Sequence, residues 1–171
     1  MSVPISPSQM PSRSPLVPRC SSVGVSLTSV VDHTDVAGPL FTPDEANDLL
    51  DEVRPLAEQM VEHRRRLLAA QARREAALER IGGNGGDFTP SELADLAEDV
   101  EREATEVARA VRAITELGAQ VKDLDSGLVD FPGTRPSGEP ILLCWRLGED
   151  EVGWWHTEQD GFGGRRPLDE L

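Results

Sequence analysis

The chain has 171 residues and a formal net charge of −14, all of it carried by residues 41–171 because two arginines and two aspartates balance before that point. Nucleic-acid phosphates and anionic membranes repel such a chain, so we expect neither nucleic acid nor membrane as a partner. No apolar run could span a bilayer, no signal peptide is recognisable, and the two cysteines form no CxxC pair or disulfide framework. These features predict a cytoplasmic protein with one modest domain.

The first 39 residues are rich in serine and proline, as in "SVPISPSQMPSRSPLVPRCSS". Such a segment buries too little apolar surface to offset its ordering entropy, so we predict a disordered tail at 1–39. Val36 stands five residues before the first recognisable element, and a GUG codon there could start translation. Residues 1–35 are therefore expected to be either an idle tail or an over-extended gene start, followed by a single α+β domain over 40–171.

The first helix is predicted over residues 43–81. Thr42, Pro43 and Glu45 form a helix-start signal with a capping box. A heptad-spaced apolar seam with two polar interruptions follows. Its members are Ala46, Leu49, Val53, Leu56, Met60, His63, Leu67, Ala70, Arg74, Ala77 and Ile81. The glycine-rich segment "GGNGGDF" at 82–88 is expected to end the helix.

A second helix is predicted over residues 90–117, starting at a capping box formed by Thr89 and Glu92 and ending near Gly118. Its seam is also heptad-spaced, so the two helices should form an antiparallel, coiled-coil-like hairpin over 42–118. The residues expected to be buried between the helices are Met60, Leu67, Val100 and Val107. The first helix is longer, so its first turns, up to Pro55, should overhang and pack on the C-terminal part.

The helical hairpin contains one basic run, "EHRRRLL" at 62–68. Its three arginines are expected to lie near Glu103 and Glu106 of the second helix and to form ion pairs there. A protein partner, or a second copy of the chain, is the expected partner of the hairpin surface.

Residues 119–171 are predicted to form a small antiparallel sheet of three or four strands with an irregular end. The segments "PILLCWRL" and "EVGWW" should form a hairpin, and the length of its turn sets which side chains share a face. An even-length turn, which we favour, opposes Trp145 to Trp154 and turns Cys144 away from His156. An odd-length turn would bring Cys144 and His156 to one face as a possible metal pair.

Carboxylates near the ends of these strands are further candidates for a site. Asp123, Asp125 and Asp130 surround a turn, where they could do acid–base work or, as we favour, bond their own backbone. With its two neighbours facing the core, Asp130 is expected to share a face with Leu128 and to be within reach of Arg146.

The C-terminal segment "HTEQDGF" holds His156, Glu158 and Asp160 in alternation, which on an extended chain would suit a divalent cation; solvated carboxylates are the alternative. The following "GFGGRR" only weakly resembles a phosphate-binding loop, since Pro167 prevents a helix after it. Arg165 or Arg166 could bind an anion or a carboxylate of this protein.

The chain resembles a family of small prokaryotic proteins, domain of unknown function 2203. The matching motifs are "FTPDEANDLLDEVRPL", "VKDLDSGLVDFP", "LLCWRLGE", "WWH" and "DGFGGRRP", which together extend from about Phe41 to Pro167. The resemblance implies no known activity. It does imply a family signature formed by Asp123, Asp125, Asp130, Cys144, Trp145, Glu149, His156 and one of the final arginines.

Three classes of function are compatible with these patterns. We favour a non-catalytic interaction or oligomerising module, with no catalytic residue and no cofactor. The first alternative is a metal- or small-ligand-binding protein that uses a divalent ion, and the second is a small hydrolase-like enzyme based on Asp123, Asp130 and His156. The candidate polar cluster comprises Asp123, Asp125, Asp130, Cys144, Arg146, Glu149, His156 and Arg165.

Overall fold

The computed structural model describes residues 38–84 and 89–171. The predicted N-terminal tail up to residue 37, and most of the glycine-rich connection at 82–88, lie outside the described residues. Within the described ranges neither helix has a stretch long and apolar enough to cross a membrane.

Two antiparallel helices, α1 (Pro43–Asn84) and α2 (Pro90–Glu116), form the predicted hairpin. Both capping boxes are present: the backbone N–H groups of Thr42 and Thr89 donate to carboxylates three residues later, at 2.8 and 2.7 Å. Helix α1 is three residues longer than predicted, because glycine weakens a helix by about 1 kcal/mol per residue without blocking it.

The seam between the helices is apolar, as predicted. Met60, Leu67 and Val107 are buried, whereas Val100 is only half-buried. The polar residue His63 meets Glu103 across the seam, with 2.8 Å between Nδ1 and Oε2. The hairpin is therefore held by packing along most of its length and by one largely buried polar pair.

The predicted pairing of the basic run with Glu103 and Glu106 is wrong. Arg64 instead contacts Asp125, in the turn after the first strand, at 2.8 Å. Arg65 and Arg66 both lie within ion-pair distance of Glu62 on their own helix. Side chains three and four residues apart on one helix are already neighbours, so the local partner is reached first.

A five-stranded antiparallel meander follows the hairpin, one strand more than the upper prediction. Its strands, adjacent in chain order, are β1 (Gln120–Asp123), β2 (Leu128–Thr134), β3 (Pro140–Arg146), β4 (Trp154–His156) and β5 (Arg166–Pro167). The extra strand is the two-residue β5, which comes from the part of the chain predicted to be irregular.

One face of this sheet, the inner face, packs against the overhanging start of α1. The inner-face residues are Val129, Phe131, Ile141, Leu143, Trp145 and Trp155. They form one core cluster with Ala46, Leu50, Val53 and Ala57 of α1. The Asn47 side chain accepts a hydrogen bond from the Val152 backbone at 2.8 Å, which ties the helix to the connection between β3 and β4. The predicted overhang and its packing are confirmed.

The favoured register of the β3–β4 hairpin is wrong by one residue. Cys144 is opposite Trp154 and Leu142 is opposite His156, so Cys144 and His156 share a face and Trp145 does not oppose Trp154. The connecting segment begins with a turn closed by a hydrogen bond from Glu149 N–H to Arg146 O at 2.9 Å, and two further hydrogen bonds hold it in place. The Leu147 N–H donates to Gly127 O at 3.1 Å, and the Val152 N–H donates to Asn47 Oδ1 of α1 at 2.8 Å.

Candidate functional site

The outer face of the sheet, opposite α1, carries a buried polar cluster made of Asp130, Cys144 and His156. Asp130 lies between two inner-face residues of β2, so the alternation of the strand turns it outward. It is directly opposite Cys144 on β3, and His156 on β4 occupies the neighbouring row. Three adjacent strands therefore each contribute one polar side chain to the same place.

The three side chains are close together and almost inaccessible to solvent. One ligand-type atom from each, a carboxylate oxygen, Sγ and a ring nitrogen, lies within 4.8 Å of the others. His156 Nε2 is 3.2 Å from Asp130 Oδ2, and Lys122 Nζ lies 4.0 Å from the same oxygen. The exposed fractions of Asp130, Cys144 and His156 are 1%, 0% and 3%. Polar groups buried this deeply are costly unless they are satisfied.

The orientation of His156 is set by its backbone neighbour. Its Nδ1 lies 2.8 Å from the carbonyl oxygen of Thr157. A carbonyl oxygen only accepts, so Nδ1 must carry the proton, and Nε2 is the ring atom that faces Asp130. Although Nε2 is within ion-pair distance of Asp130 Oδ2, the geometry does not meet that of a hydrogen bond. Nε2 and Asp130 Oδ1 are both buried without a hydrogen-bond partner among the residues that the structure describes.

The Cys144 thiol is held in its protonated form. Burial raises its pKa, and the negative charge of Asp130 and a hydrogen bond to that carboxylate raise it further, against a smaller opposing effect of Arg165. A thiol of this kind is a poor free nucleophile at neutral pH. The arrangement therefore does not favour a cysteine-based hydrolase.

Arg165 lies beside this cluster and is fixed by several contacts. Its guanidinium donates to Glu149 Oε2 at 2.8 Å and to the Cys144 carbonyl at 3.4 Å, and it packs on the rings of Trp154 and Phe162 at 5.1 and 4.9 Å. Burial alone would raise the pKa of Glu149, but hydrogen bonds from Arg165 and from the Arg146 backbone N–H lower it below its usual value. Glu149 thus anchors the C-terminal segment to the sheet.

The other aspartates of the predicted cluster have structural partners. Asp123 accepts the Ser126 backbone N–H at 2.8 Å, and Asp125 contacts Arg64 at 2.8 Å. The structure does not bring either of them to Asp130. Asp130 shares a face with Leu128, as predicted, and Arg146 is opposite Leu128; the ion-pair partners of Asp130 among the described residues are Lys122 and His156, not Arg146.

The alternation predicted for His156, Glu158 and Asp160 is interrupted by a turn. Strand β4 ends at His156, and Glu158 and Asp160 lie exposed in the turn that follows. Asp160 is paired with Arg166, with 3.3 Å between the carboxylate oxygen and the guanidinium. The extended set of three ligands is therefore wrong, and His156 meets Asp130 and Cys144 instead. The odd-length alternative for the turn between β3 and β4 predicted that Cys144 and His156 share a face, which is one half of this arrangement.

A family model described as "Uncharacterized conserved protein (DUF2203)" matches residues 39–168, a range that includes all three members of the buried cluster as well as Glu149 and Arg165. No curated protein and no solved structure is significantly similar to the chain.

Proposed function

We propose that this chain, which belongs to the family of uncharacterised conserved proteins DUF2203, is a metal-binding protein that holds one zinc-like transition-metal ion between Asp130, Cys144 and His156. The observation that carries the proposal is the convergence of three different ligand types, from three strands, on one buried position. His156 Nε2, which points at this position, and the second carboxylate oxygen of Asp130, Oδ1, have no hydrogen-bond partner among the described residues.

The distances suit a tetrahedral ion after small side-chain adjustments. With usual bond lengths of about 2.0 to 2.3 Å, neighbouring ligand atoms of a zinc site are about 3.3 to 3.6 Å apart. The Nε2 to Oδ2 distance is already 3.2 Å, and all three atoms lie within 4.8 Å. Shifts of about 1 Å would therefore complete the geometry. The His156 contact to the Thr157 carbonyl is the kind of outer partner that orients a metal-bound imidazole.

The chemistry of the donors selects the class of ion. A thiolate and an imidazole favour zinc and neighbouring transition metals over magnesium and calcium, which prefer oxygen ligands. An ion of charge +2 would also offset the negative charges of the Asp130 carboxylate and the Cys144 thiolate, which are otherwise costly to bury. Three protein ligands leave one coordination position for a further ligand, as in zinc sites that act on a substrate.

From the sequence we favoured an interaction module over a metal-binding protein. The buried cluster is the reason that we propose metal binding first. The hairpin's role as an interaction or self-association surface stays a prediction, as does a cytoplasmic location. The hydrolase alternative based on Asp123 loses its support, because Asp123 bonds the turn at Ser126.

Metal analysis of the purified protein tests the proposal. We expect about one zinc per chain in wild type after loading and exhaustive dialysis, and almost none in Cys144→Ala or His156→Ala. The matched control is Cys20→Ala, which removes the chain's other cysteine and should keep its zinc. Circular dichroism of each variant would show that the fold persists.

Cobalt(II) provides a second readout, because a thiolate ligand produces an intense charge-transfer band. That band should be present in wild type and in Cys20→Ala and absent from Cys144→Ala. A wild-type protein that binds none of zinc, cobalt and nickel, or a folded Cys144→Ala that binds them as tightly as wild type, would refute the site.

A further inference from the structure

The Arg165 side chain has an unused hydrogen-bond donor beside the candidate metal site. Only 10% of the side chain is exposed, yet its Nε has no partner among the described residues. One terminal nitrogen of the same guanidinium is engaged by Glu149 and by the Cys144 carbonyl, so the group cannot turn freely to satisfy Nε. A buried N–H group without an acceptor is costly, which is why such groups point to a missing ligand.

The surroundings of Arg165 are aromatic and positively charged. Trp154, directly opposite Cys144, and Phe162 are 37% and 44% exposed, and both rings contact the Arg165 guanidinium. Arg146 lies over Phe162 at 5.7 Å and has no carboxylate of the described residues within ion-pair distance. This patch is a local positive region in a chain of net charge −14.

The local charges favour an anionic ligand. A divalent ion would offset the Asp130 carboxylate and the Cys144 thiolate, and Glu149 already offsets Arg165. The positive charge of Lys122, 4.0 Å from Asp130, then remains without full compensation beside the metal position, and that of Arg146 lies over Phe162 in the same patch. A small anion of charge −1 or −2 would neutralise them.

We infer that this patch binds a small oxyanion, a carboxylate or a phosphoryl group, which accepts the Nε–H of Arg165 next to the open coordination position of the metal. The inference rests on the proposed metal site and gives the ligand class of that same site. Guanidinium groups suit this task because their N–H donors are arranged as a rigid fork that matches two oxygens of one oxyanion. The exposed Trp154 and Phe162 would border the entry to the site.

Calorimetric titration of the zinc-loaded protein with inorganic phosphate, and separately with malonate, tests the inference and separates the two sources of the oxyanion. We expect saturable binding of at least one of them by wild type. Arg165→Gln should weaken that binding about tenfold or more, the usual effect of losing a charged hydrogen bond. The matched control is Arg166→Gln, the adjacent arginine, which is paired with Asp160 and should change the affinity less than about twofold.

Arg165→Lys keeps a positive charge near Glu149 without the Nε–H donor, and it is used if Arg165→Gln fails to fold. It should show the same loss of anion binding. The zinc content of every sample is measured first, so that the two proposals fail separately.

If zinc is bound but wild type takes up neither anion, or if Arg165→Gln and Arg165→Lys bind the anion as wild type does, the oxyanion inference is overturned while the metal site stands. If wild type and variants alike bind no zinc, the metal site fails. The same titration of the metal-free wild type and Arg165→Gln then decides whether Arg165 binds the anion without a metal. Binding that is lost in the Arg165 variants and kept in Arg166→Gln supports the inference; equal binding in all of them overturns it.

Discussion

The two faces of the sheet are built from alternate residues of the same strands and have opposite character. On β2, Val129 and Phe131 face inward to an apolar core, while Asp130 between them faces outward. On β3, Leu143 and Trp145 face inward and Cys144 faces outward. Asp130 and Cys144 are as deeply buried as the inward residues, but they are polar, and Asp130 Oδ1 has no hydrogen-bond partner among the described residues.

Burial therefore does not distinguish the core of this protein from its candidate site, whereas satisfaction of polar groups does. The inner face gains stability from apolar area and close packing. The outer face holds the polar groups of the candidate site, whose burial is costly unless a ligand satisfies them. Substitutions one residue apart on a strand should consequently separate into losses of stability and losses of metal binding.

The largest effect is expected for Phe131→Ala on the inner face. Removing a fully buried aromatic ring leaves a cavity and should lower the free energy of unfolding by about 3 to 5 kcal/mol, measured by urea denaturation. The control is Phe162→Ala, an aromatic residue that is 44% exposed on the outer side, which should cost less than about 1 kcal/mol. Equal losses in the two variants would contradict the assignment of the inner face as the core.

Zinc should stabilise the wild-type protein through the outer face. At a free zinc concentration about 100 times Kd, binding adds about 2.7 kcal/mol to the free energy of unfolding. For a chain of this size that corresponds to a rise in Tm of about 5 to 10 °C, measurable by differential scanning calorimetry. Cys144→Ala should melt at the same temperature with and without zinc, and a zinc-induced rise in that variant would place the metal elsewhere.

Zinc affinity should fall as the pH is lowered. Because burial raises the pKa of the Cys144 thiol, the metal-free protein keeps that proton at neutral pH and zinc must displace it. One displaced proton corresponds to a loss of about tenfold in affinity per pH unit from pH 8 to 7, about 1.4 kcal/mol. Competition with a chelator of known affinity measures this slope, and an affinity independent of pH would exclude the thiolate as a ligand.

The smallest effect is expected for Glu149→Gln, which removes the carboxylate that anchors Arg165. The folded-state pKa of Glu149 is lowered, so its contribution to stability is present above the unfolded-state pKa and is lost as the pH falls through the folded-state value. The variant should be less stable than wild type by about 1 kcal/mol at pH 7, and the difference should disappear as the pH falls below the folded-state pKa of Glu149. Zinc content should not change; zinc loss in this variant would show that the anchor also holds the cluster.

The helices and the inner face were predictable because their signals are local. Each capping box lies within four residues, and heptad spacing identified most of the buried side of each helix; the core residues Leu50, Ala57 and Val61 of α1 lie outside the predicted seam. The alternation of β2 also predicted that Val129 and Phe131 face the core. Even the individual members of the site, Asp130, Cys144 and His156, were recognisable as chemically unusual residues in their segments.

The convergence of Asp130, Cys144 and His156 could not be predicted, because it depends on a one-residue difference in the register of β3 and β4. That register is influenced by contacts between distant parts of the chain. Asn47 of α1 binds the Val152 backbone across 105 residues of sequence, and the Gly127 carbonyl holds Leu147 at the end of β3. These two hydrogen bonds favour the odd-length connection, which turns Cys144 and His156 to the same face. Side-chain direction in a strand reverses with every residue, so hydrogen bonds between distant parts of the chain bring together candidate residues that local patterns had separated.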